Sequence, residues 1–488
     1  MKHIKKDIVV IGTGTAGLAA YRAAKTHTSS VILIEGGEYG TTCARVGCMP
    51  SKLLIAAAEA AHEAAHTEPF GILVDKVQVD PEAVMARVRS ERDRFVGFVT
   101  QSVDTIDHED KIRGTASFAN GRTVLVEQPG ESSLSIDFKA AVIATGSRAS
   151  YPNFFKNAED RLIINDDVFE WKTLPKSVAV FGPGVIGLEL GQALSRLNVD
   201  VSLFGVGGGI GPLTDPILRS VGHKIYGQDF SHYQPDSKVT SIQRVSDGVL
   251  IKFEQNGKNT EIIVDYVLAA TGRRPNVDNL GLANIALPLD SNDVPIADPT
   301  TMQVGQSSIF IAGDASNQIP LLHEATDQGK IAGDNAGRLV TTKTLKSGLR
   351  RSSIGIVFSD PQIAMVGQNF QSLKSKINDN CIAIGEVSFA DQGRSRVMLK
   401  NKGYLRLYAE HGTGLFLGAE MVGPRAEHIA HLLAWAHQQK MTIEQMLDMP
   451  FYHPVIEEGL RTALRSALAE LKMGVEIRDR CAECGVGS

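Results

Sequence analysis

Two cysteines five positions apart, Cys43 and Cys48, carry the sharpest chemistry in this chain. They sit in Gly40-Thr41-Thr42-Cys43-Ala44-Arg45-Val46-Gly47-Cys48-Met49-Pro50-Ser51-Lys52. In a regular helix, Cα atoms at that spacing lie roughly 8–9 Å apart, beyond disulfide reach. A bond between them needs a distorted turn, which Gly47 and Pro50 permit. An exposed, strained disulfide there would be readily reduced. A helix N-terminus or a cation nearby would favour the thiolate that reduction leaves. Two other readings stay open on these residues alone: unbonded buried cysteines, or a zinc site, for which the stretch offers too few ligands.

A redox pair needs a donor or acceptor of electrons, and the elements around it suggest one. Ile8-Val9-Val10-Ile11 is a β-branched run of the kind that forms a buried parallel strand. It leads into Gly12-Thr13-Gly14-Thr15-Ala16-Gly17 and an Ala-rich helical stretch. Gly12 allows the tight turn, Gly14 the approach of a pyrophosphate, and Gly17 close packing of helix on strand. The helix N-terminus offers N–H groups and a positive dipole end to that phosphate. The next strand, Val31-Ile32-Leu33-Ile34, ends in Glu35, 23 positions after Gly12, where a carboxylate meets ribose hydroxyls.

The pattern recurs. Ser177–Phe181 reads as a strand, Gly182-Pro183-Gly184-Val185-Ile186-Gly187 as a second triplet, and a helix and the strand Val199–Phe204 follow. Two apolar strands ending in Ala-Thr-Gly, at Ala144-Thr145-Gly146 and Ala270-Thr271-Gly272, echo each other as well. The chain therefore reads as two dinucleotide sites. They differ at one place. The offset that gives Glu35 at the first site gives Gly205 at the second, within Gly205-Val206-Gly207-Gly208-Gly209. Neither a carboxylate for a ribose 2′-OH nor an arginine for a 2′-phosphate stands there. NAD and NADP both stay open, and Gly187 leans towards NAD.

These motifs together resemble the class I pyridine nucleotide–disulfide oxidoreductases, the family of dihydrolipoamide dehydrogenase, glutathione reductase and mercuric reductase. The resemblance runs along nearly the whole chain in the family's order. It takes in the redox segment, both triplets, Gly114–Phe118, Thr145-Gly146, Gly272-Arg273-Arg274-Pro275-Asn276 and Ile311-Ala312-Gly313-Asp314. Residues from about Ser352 resemble the family's dimer-interface domain. The resemblance implies an α/β chain with two Rossmann-like dinucleotide-binding domains, for FAD and NAD(P), and a C-terminal α+β dimerisation domain. The expected FAD-binding domain is discontinuous, 1–152 and 276–350. The NAD(P) domain is expected at 153–275, the interface domain at 351–475 and a Cys-containing tail at 476–488.

Roles follow position by position. Gly12, Gly14, Gly17, Glu35, Thr42, Lys52, Thr145, Gly146, Gly272, Arg273 and Asp314 would bind FAD, Asp314 through the ribityl chain. Gly182, Gly184 and Gly187 would bind NAD(P). Cys48 would face the flavin and Cys43 exchange with the substrate. Lys52 would pair with Glu189, and Val185 would cover the flavin's nicotinamide face. In His453-Pro454-Val455-Ile456-Glu457-Glu458, His453 would be the acid–base for thiol exchange and Glu458 its orienting carboxylate. Moving a proton at neutral pH suits an imidazole. The family takes this histidine from the partner subunit, which implies a homodimer.

Some features depart from the pattern. Thr41 stands where the family usually has glycine, Ala44-Arg45 replaces Leu-Asn, and Phe451-Tyr452 precedes His453. These leave the flavin chemistry intact and bear on the disulfide substrate. The chain ends with Cys481 and Cys484 on a Gly-rich tail, similar to the mobile thiol pairs of mercuric reductases and large thioredoxin reductases although the spacing differs. His428, His431 and His437 fall at helical spacing and read as an interface or solvated face rather than a metal site.

Composition narrows the rest. Five cysteines among 488 residues form no disulfide framework and point to a reducing compartment. A net charge of −5 without a basic cluster argues against nucleic acid. The basic N-terminus followed by an apolar run looks like a secretory leader, but its spaced glycines make it a strand and turn. No apolar run reaches the roughly 18–20 residues of a membrane span. A cytoplasmic oxidoreductase is the expectation, oxidising dihydrolipoamide, free or on a lipoyl domain, with NAD. A NAD(P)H-dependent reductase of another disulfide, or of mercuric ion through Cys481 and Cys484, is the runner-up. A flavin-bearing redox sensor without turnover is a third reading.

Overall fold

The computed structural model describes residues 2–255, 257–376 and 381–472; Cys481 and Cys484 lie outside the described residues. The chain forms two compact units. One comprises residues 1–50, 87–150 and 272–350, the other residues 51–86, 151–271 and the chain from 351 on.

The first unit grows from strand Lys2–Ile11, whose end Ile8-Val9-Val10-Ile11 is buried on both faces. It pairs in parallel with Val31–Glu35, which pairs with Lys111–Arg113. On its other side it pairs with Leu134–Ile143, which takes Ile309–Ile311 as a further parallel neighbour. An antiparallel meander, Thr115–Asn120 and Thr123–Glu127, attaches to Leu134–Ile143. Alternate side chains feed two apolar layers. Ile8, Val10, Leu33 and Phe310 go to one and Val9, Ile11, Ile32 and Ile136 to the other.

Helices Thr15–Lys25 and Leu322–Thr341 lie against each other on the first of these layers. Their separation is set by missing side chains. A Cβ at Gly329 would lie 2.3 Å from the Ala16 carbonyl oxygen, and one at Gly333 would lie 2.1 Å from that of Ala20. The helix that follows Asp314 is thereby seated on the helix that follows the first triplet. At its near end Glu324 is fully buried and held by Arg350 at 2.7 Å.

The second unit contains two principal sheets. A parallel one runs in the order His232–Gln234, Asp200–Phe204, Ser177–Phe181, Tyr266–Ala269, Leu162–Ile163. An antiparallel meander, Lys238–Val245, Gly248–Gln255 and Lys258–Val264, stands beside it in sequence. The other principal sheet is antiparallel, in the order Ile354–Val357, Gln362–Gly367, Phe416–Gly423, Tyr404–Glu410, Ile382–Ser388. Helices Ala426–Gln438 and Glu458–Glu470 share an apolar cluster with it that includes Leu405, Leu407, Phe416, Leu433 and Leu464. A mixed sheet with a parallel centre and a parallel sheet, each with helices, followed by an antiparallel sheet with helices, make the α/β fold with a C-terminal α+β domain that the sequence implied. Among the described residues no helix is long and apolar enough to cross a membrane.

Candidate active site

The first triplet makes the turn that its spacing required. Gly12 has φ +107°, and a Cβ on it would lie 2.3 Å from the Ala144 carbonyl oxygen. Gly17 packs so closely that a Cβ would lie 1.8 Å from the Gly12 carbonyl oxygen. Gly14, by contrast, opens on space, with nothing within 4 Å of such an atom, at the N-terminus of helix Thr15–Lys25. An anion can therefore approach the backbone there. Glu35 accepts hydrogen bonds from the Thr13 N–H (2.8 Å), the Thr13 hydroxyl (2.6 Å) and the Gly37 N–H (2.8 Å). That fixes its carboxylate at the carboxyl edge of the sheet.

A second set of contacts gathers the later motif residues of this unit. The Thr145 hydroxyl donates to the Asn276 carbonyl, and the Asn276 amide donates back to the Thr145 carbonyl. Arg273 donates to the Ser147 hydroxyl and carbonyl, and that hydroxyl donates to Asp314 at 2.6 Å. Gly146 lies beside Asn276, whose N–H it accepts at 2.9 Å. Gly272, with φ +145°, precedes the short strand Arg273–Pro275. The open phosphate approach, the ribose-type acid Glu35 and the oriented Asp314 fit an extended dinucleotide such as FAD.

The segment that carries the two cysteines is broken between them. Cys43 lies in the short helix Thr42–Arg45, capped by the Thr41 hydroxyl, which accepts from the Ala44 N–H at 3.2 Å. Cys48 is the first residue of a separate helix, Cys48–Ala65. Between them the chain doubles back so tightly that a Cβ on Gly47 would touch the Thr42 carbonyl oxygen at 3.0 Å and the Cys43 Cα at 3.3 Å. Cys43 is half-buried and Cys48 exposed, as is Thr42. A sulfur at the start of an 18-residue helix meets the positive dipole end, which stabilises its thiolate.

Lys52, one turn further along that helix, is held from three sides within the second unit. Its ammonium lies 2.7 Å from Glu189 Oε2 and 4.7 Å from the ring centre of Phe358. It also donates to the Ser51 hydroxyl at 3.3 Å. Glu189 is nearly fully buried, and its other oxygen accepts the Phe358 N–H at 2.9 Å. The same helix, Val185–Arg196, also uses Gln192 and Arg196 to hold Asp360. Sequence reasoning singled out Lys52 and Glu189 and missed Phe358, Gln192 and Asp360, which lie some 170 positions from their partners. Glu189→Ala strips the acceptor from the Phe358 N–H, a loss of about 1–3 kcal/mol. Urea denaturation should show that loss, with Glu189→Gln recovering most of it.

The second triplet repeats the first almost to the tenth of an ångström. Gly182 has φ +108°, and its Cβ would lie 2.3 Å from the Ala270 carbonyl oxygen. That of Gly187 would lie 1.8 Å from the Gly182 carbonyl oxygen, and Gly184 again opens on space. Val185, the first residue of the following helix, is 41% exposed.

In the C-terminal part, His453 and Glu458 come together. His453 Nδ1 lies 3.0 Å from both Glu458 oxygens, and Glu458 also accepts the Val455 N–H at 3.2 Å. The His453 hydrogen bond holds the Glu458 carboxyl below the usual glutamate range. Nδ1–H therefore points at the carboxylate, and the imidazole presents Nε2 outward on a side chain that is 80% exposed. His428, His431 and His437 do not converge: His437 turns inward to the Ser352 hydroxyl, while His428 and His431 are exposed. Among the described residues no cluster of metal-ligating side chains forms.

Comparison with known proteins agrees with this arrangement. Residues 6–329 match the family model described as pyridine nucleotide-disulphide oxidoreductase, and residues 354–464 match its dimerisation domain. The chain is 31% identical over 473 residues to the dihydrolipoyl dehydrogenase of Geobacillus stearothermophilus, covering 95% of this chain and 97% of that one. It is 30% identical over 469 residues to a dihydrolipoyl dehydrogenase of Bacillus subtilis, with the same coverage. Among solved structures it superposes on LpdA from Mycobacterium tuberculosis with a TM-score of 0.79 at 20% identity, covering 95% of this chain and 99% of that one. It also superposes on the Cu(II) complex of the HOCl-induced flavoprotein disulfide reductase RclA from Escherichia coli. There the TM-score is 0.77 at 21% identity, with 94% and 99% of the chains covered.

Proposed function

This chain belongs to the pyridine nucleotide-disulphide oxidoreductases and works with their cofactors, FAD and NAD; from that premise we propose that it oxidises dihydrolipoamide to lipoamide while NAD is reduced. What supports this substrate is the likeness to dihydrolipoyl dehydrogenases along 95% of the chain. The redox segment supplies the chemistry. In the oxidised enzyme Cys43 and Cys48 are joined. One thiolate of the substrate attacks the Cys43 sulfur, which forms a mixed disulfide and releases Cys48 as a thiolate. The dipole of helix Cys48–Ala65 favours that leaving group. His453, from a second copy of the chain docked through the dimerisation domain, takes the proton of the remaining substrate thiol at Nε2. That sulfur then closes the substrate disulfide and expels Cys43. Glu458 keeps the imidazole in the required tautomer and stabilises its charged form. Glu35, Asp314 and the first triplet would hold FAD, which would supply the two-electron transfer between the Cys43–Cys48 dithiol and NAD. Lys52, held by Glu189 and the Phe358 ring, places a fixed positive charge in this chemistry.

A second reading, reduction of another disulfide by NADH, is favoured by the structural likeness to a flavoprotein disulfide reductase. Anaerobic mixing with dihydrolipoamide separates the two. A long-wavelength charge-transfer band, followed by NADH when NAD is added, is the expected result. A band raised by NADH and not by dihydrolipoamide would remove the lipoamide assignment in favour of the reductase.

A further inference from the structure

The second nucleotide site has no acid where the first has Glu35, and the geometry points to Asp236 as its replacement: we propose that Asp236 binds the adenosine ribose hydroxyls of NAD and excludes a 2′-phosphate. The inference rests on the second triplet being the NAD site and says which residue gives that site its specificity.

The internal repeat supplies the argument. An offset of 170 maps Gly12 to Gly182, Thr13 to Pro183, Glu35 to Gly205 and Gly37 to Gly207. At the first site Glu35 is held by the Thr13 N–H and the Gly37 N–H. At the second site the first support and the room for a side chain are both missing. Pro183 has no N–H to give. A side chain at position 205 has no room, because a Cβ there would lie 2.6 Å from the Pro235 carbonyl oxygen and 2.7 Å from the Pro183 ring. The strand end is therefore closed to an acid.

The Gly207 N–H nevertheless keeps a carboxylate partner. It donates to Asp236 Oδ1 at 2.8 Å, the same distance at which its counterpart Gly37 donates to Glu35. Asp236 follows strand His232–Gln234, the parallel neighbour of Asp200–Phe204, so it reaches the same carboxyl edge of the sheet from one strand further out. The loop that carries Gly207 is tied to that neighbour. Gly205 N–H donates to the Gln234 carbonyl, Gly208 N–H to the Pro235 carbonyl, and the Ser237 N–H and hydroxyl to the Gly205 carbonyl. Gly207, Gly208 and Gly209 have nothing within 4 Å of where a Cβ would be, which leaves an open bay beside an exposed carboxylate. Neither 205–211 nor 232–237 contains Lys or Arg, and Lys238 pairs with Glu254 at 3.2 Å. A vicinal diol finds an acceptor there, and a 2′-phosphate finds a negative charge.

The test is calorimetric titration of the FAD-loaded protein with ADP-ribose and with 2′-phospho-ADP-ribose, neither of which can react. Wild type is expected to prefer ADP-ribose by about 10–100-fold, the value of a charge-assisted hydrogen bond. Asp236→Asn keeps an oxygen for the Gly207 N–H and removes the charge, so the preference should fall to within a few-fold of unity. Asp236→Ala should do the same. Flavin absorbance and circular dichroism check that each variant is folded. If folded Asp236→Asn keeps the wild-type preference, the assignment of Asp236 is overturned while the nucleotide site stands. If wild type binds neither ligand, the nucleotide reading itself falls, and this inference with it.

Discussion

Cys43→Ser protein should purify yellow and oxidise dihydrolipoamide at least about 10³-fold more slowly than wild type, because residues that act as one unit fail together. Cys48→Ser should lose as much. The two are nevertheless distinguishable. With Cys43 gone, Cys48 is left as a thiolate at the start of helix Cys48–Ala65, and a long-wavelength charge-transfer band should be present without any reductant. With Cys48 gone, that band should be missing even after reduction. Transfer from NADH to ferricyanide uses neither sulfur and should survive in both. Identical spectra for the two variants would refute the division of labour between attacking and flavin-facing sulfur.

The second large effect concerns His453. His453→Gln should lower dihydrolipoamide turnover by about 10²–10⁴-fold, the contribution of a positioned general base, with the ferricyanide reaction untouched. Its pH dependence has a definite sign. The Glu458 carboxyl is depressed by its hydrogen bond to His453, so the carboxylate, and the orientation it gives, persist above the ordinary glutamate range and are lost only as the pH falls through the lowered value. Above the ordinary glutamate range the Glu458 charge is therefore constant, and activity should fall only as the pH drops through the lowered Glu458 value, where the imidazole loses its orienting partner. Glu458→Gln keeps a hydrogen-bond partner and should cost less than His453→Gln. A stopped-flow pH profile of the reductive half-reaction measures both. A profile unchanged by His453→Gln would remove this residue from proton transfer.

How far the sequence could be read depended on how local each feature was. Both glycine triplets were legible because each is a turn whose requirements fall within six residues and whose echo recurs 170 positions on. The break between Cys43 and Cys48 was legible too, since a five-residue spacing is incompatible with a bond in one helix. Gly205 was readable only as a missing acid. That Pro183 and Pro235 close the position, and that Asp236 stands in, needed the third strand of the sheet in place. Phe358 carried no signal at all. Its ring and N–H matter because Lys52 and Glu189 arrive from distant parts of the chain. The passage of helix Cys48–Ala65 from one compact unit into the other was equally hidden, since nothing in an Ala-rich amphipathic run marks a boundary.

The seating of helix Leu322–Thr341 on helix Thr15–Lys25 has a consequence during synthesis. The first helix of the chain and strand Leu134–Ile143 leave the ribosome early, yet their neighbours Ile309–Ile311 and Leu322–Thr341 are still to be made. The 198 residues between Ile143 and Thr341 occupy roughly 10–40 s of translation at about 5–20 residues per second. Through that interval the sheet of the first unit has an open edge and one helix layer unfinished, while the parallel strands at 162–269, complete in themselves, can already close. The nascent chain therefore passes through a stage in which the sheet that carries the second triplet is finished before the one that carries the first. That stage, rather than the finished enzyme, is the one with exposed strand edge for a chaperone to cover.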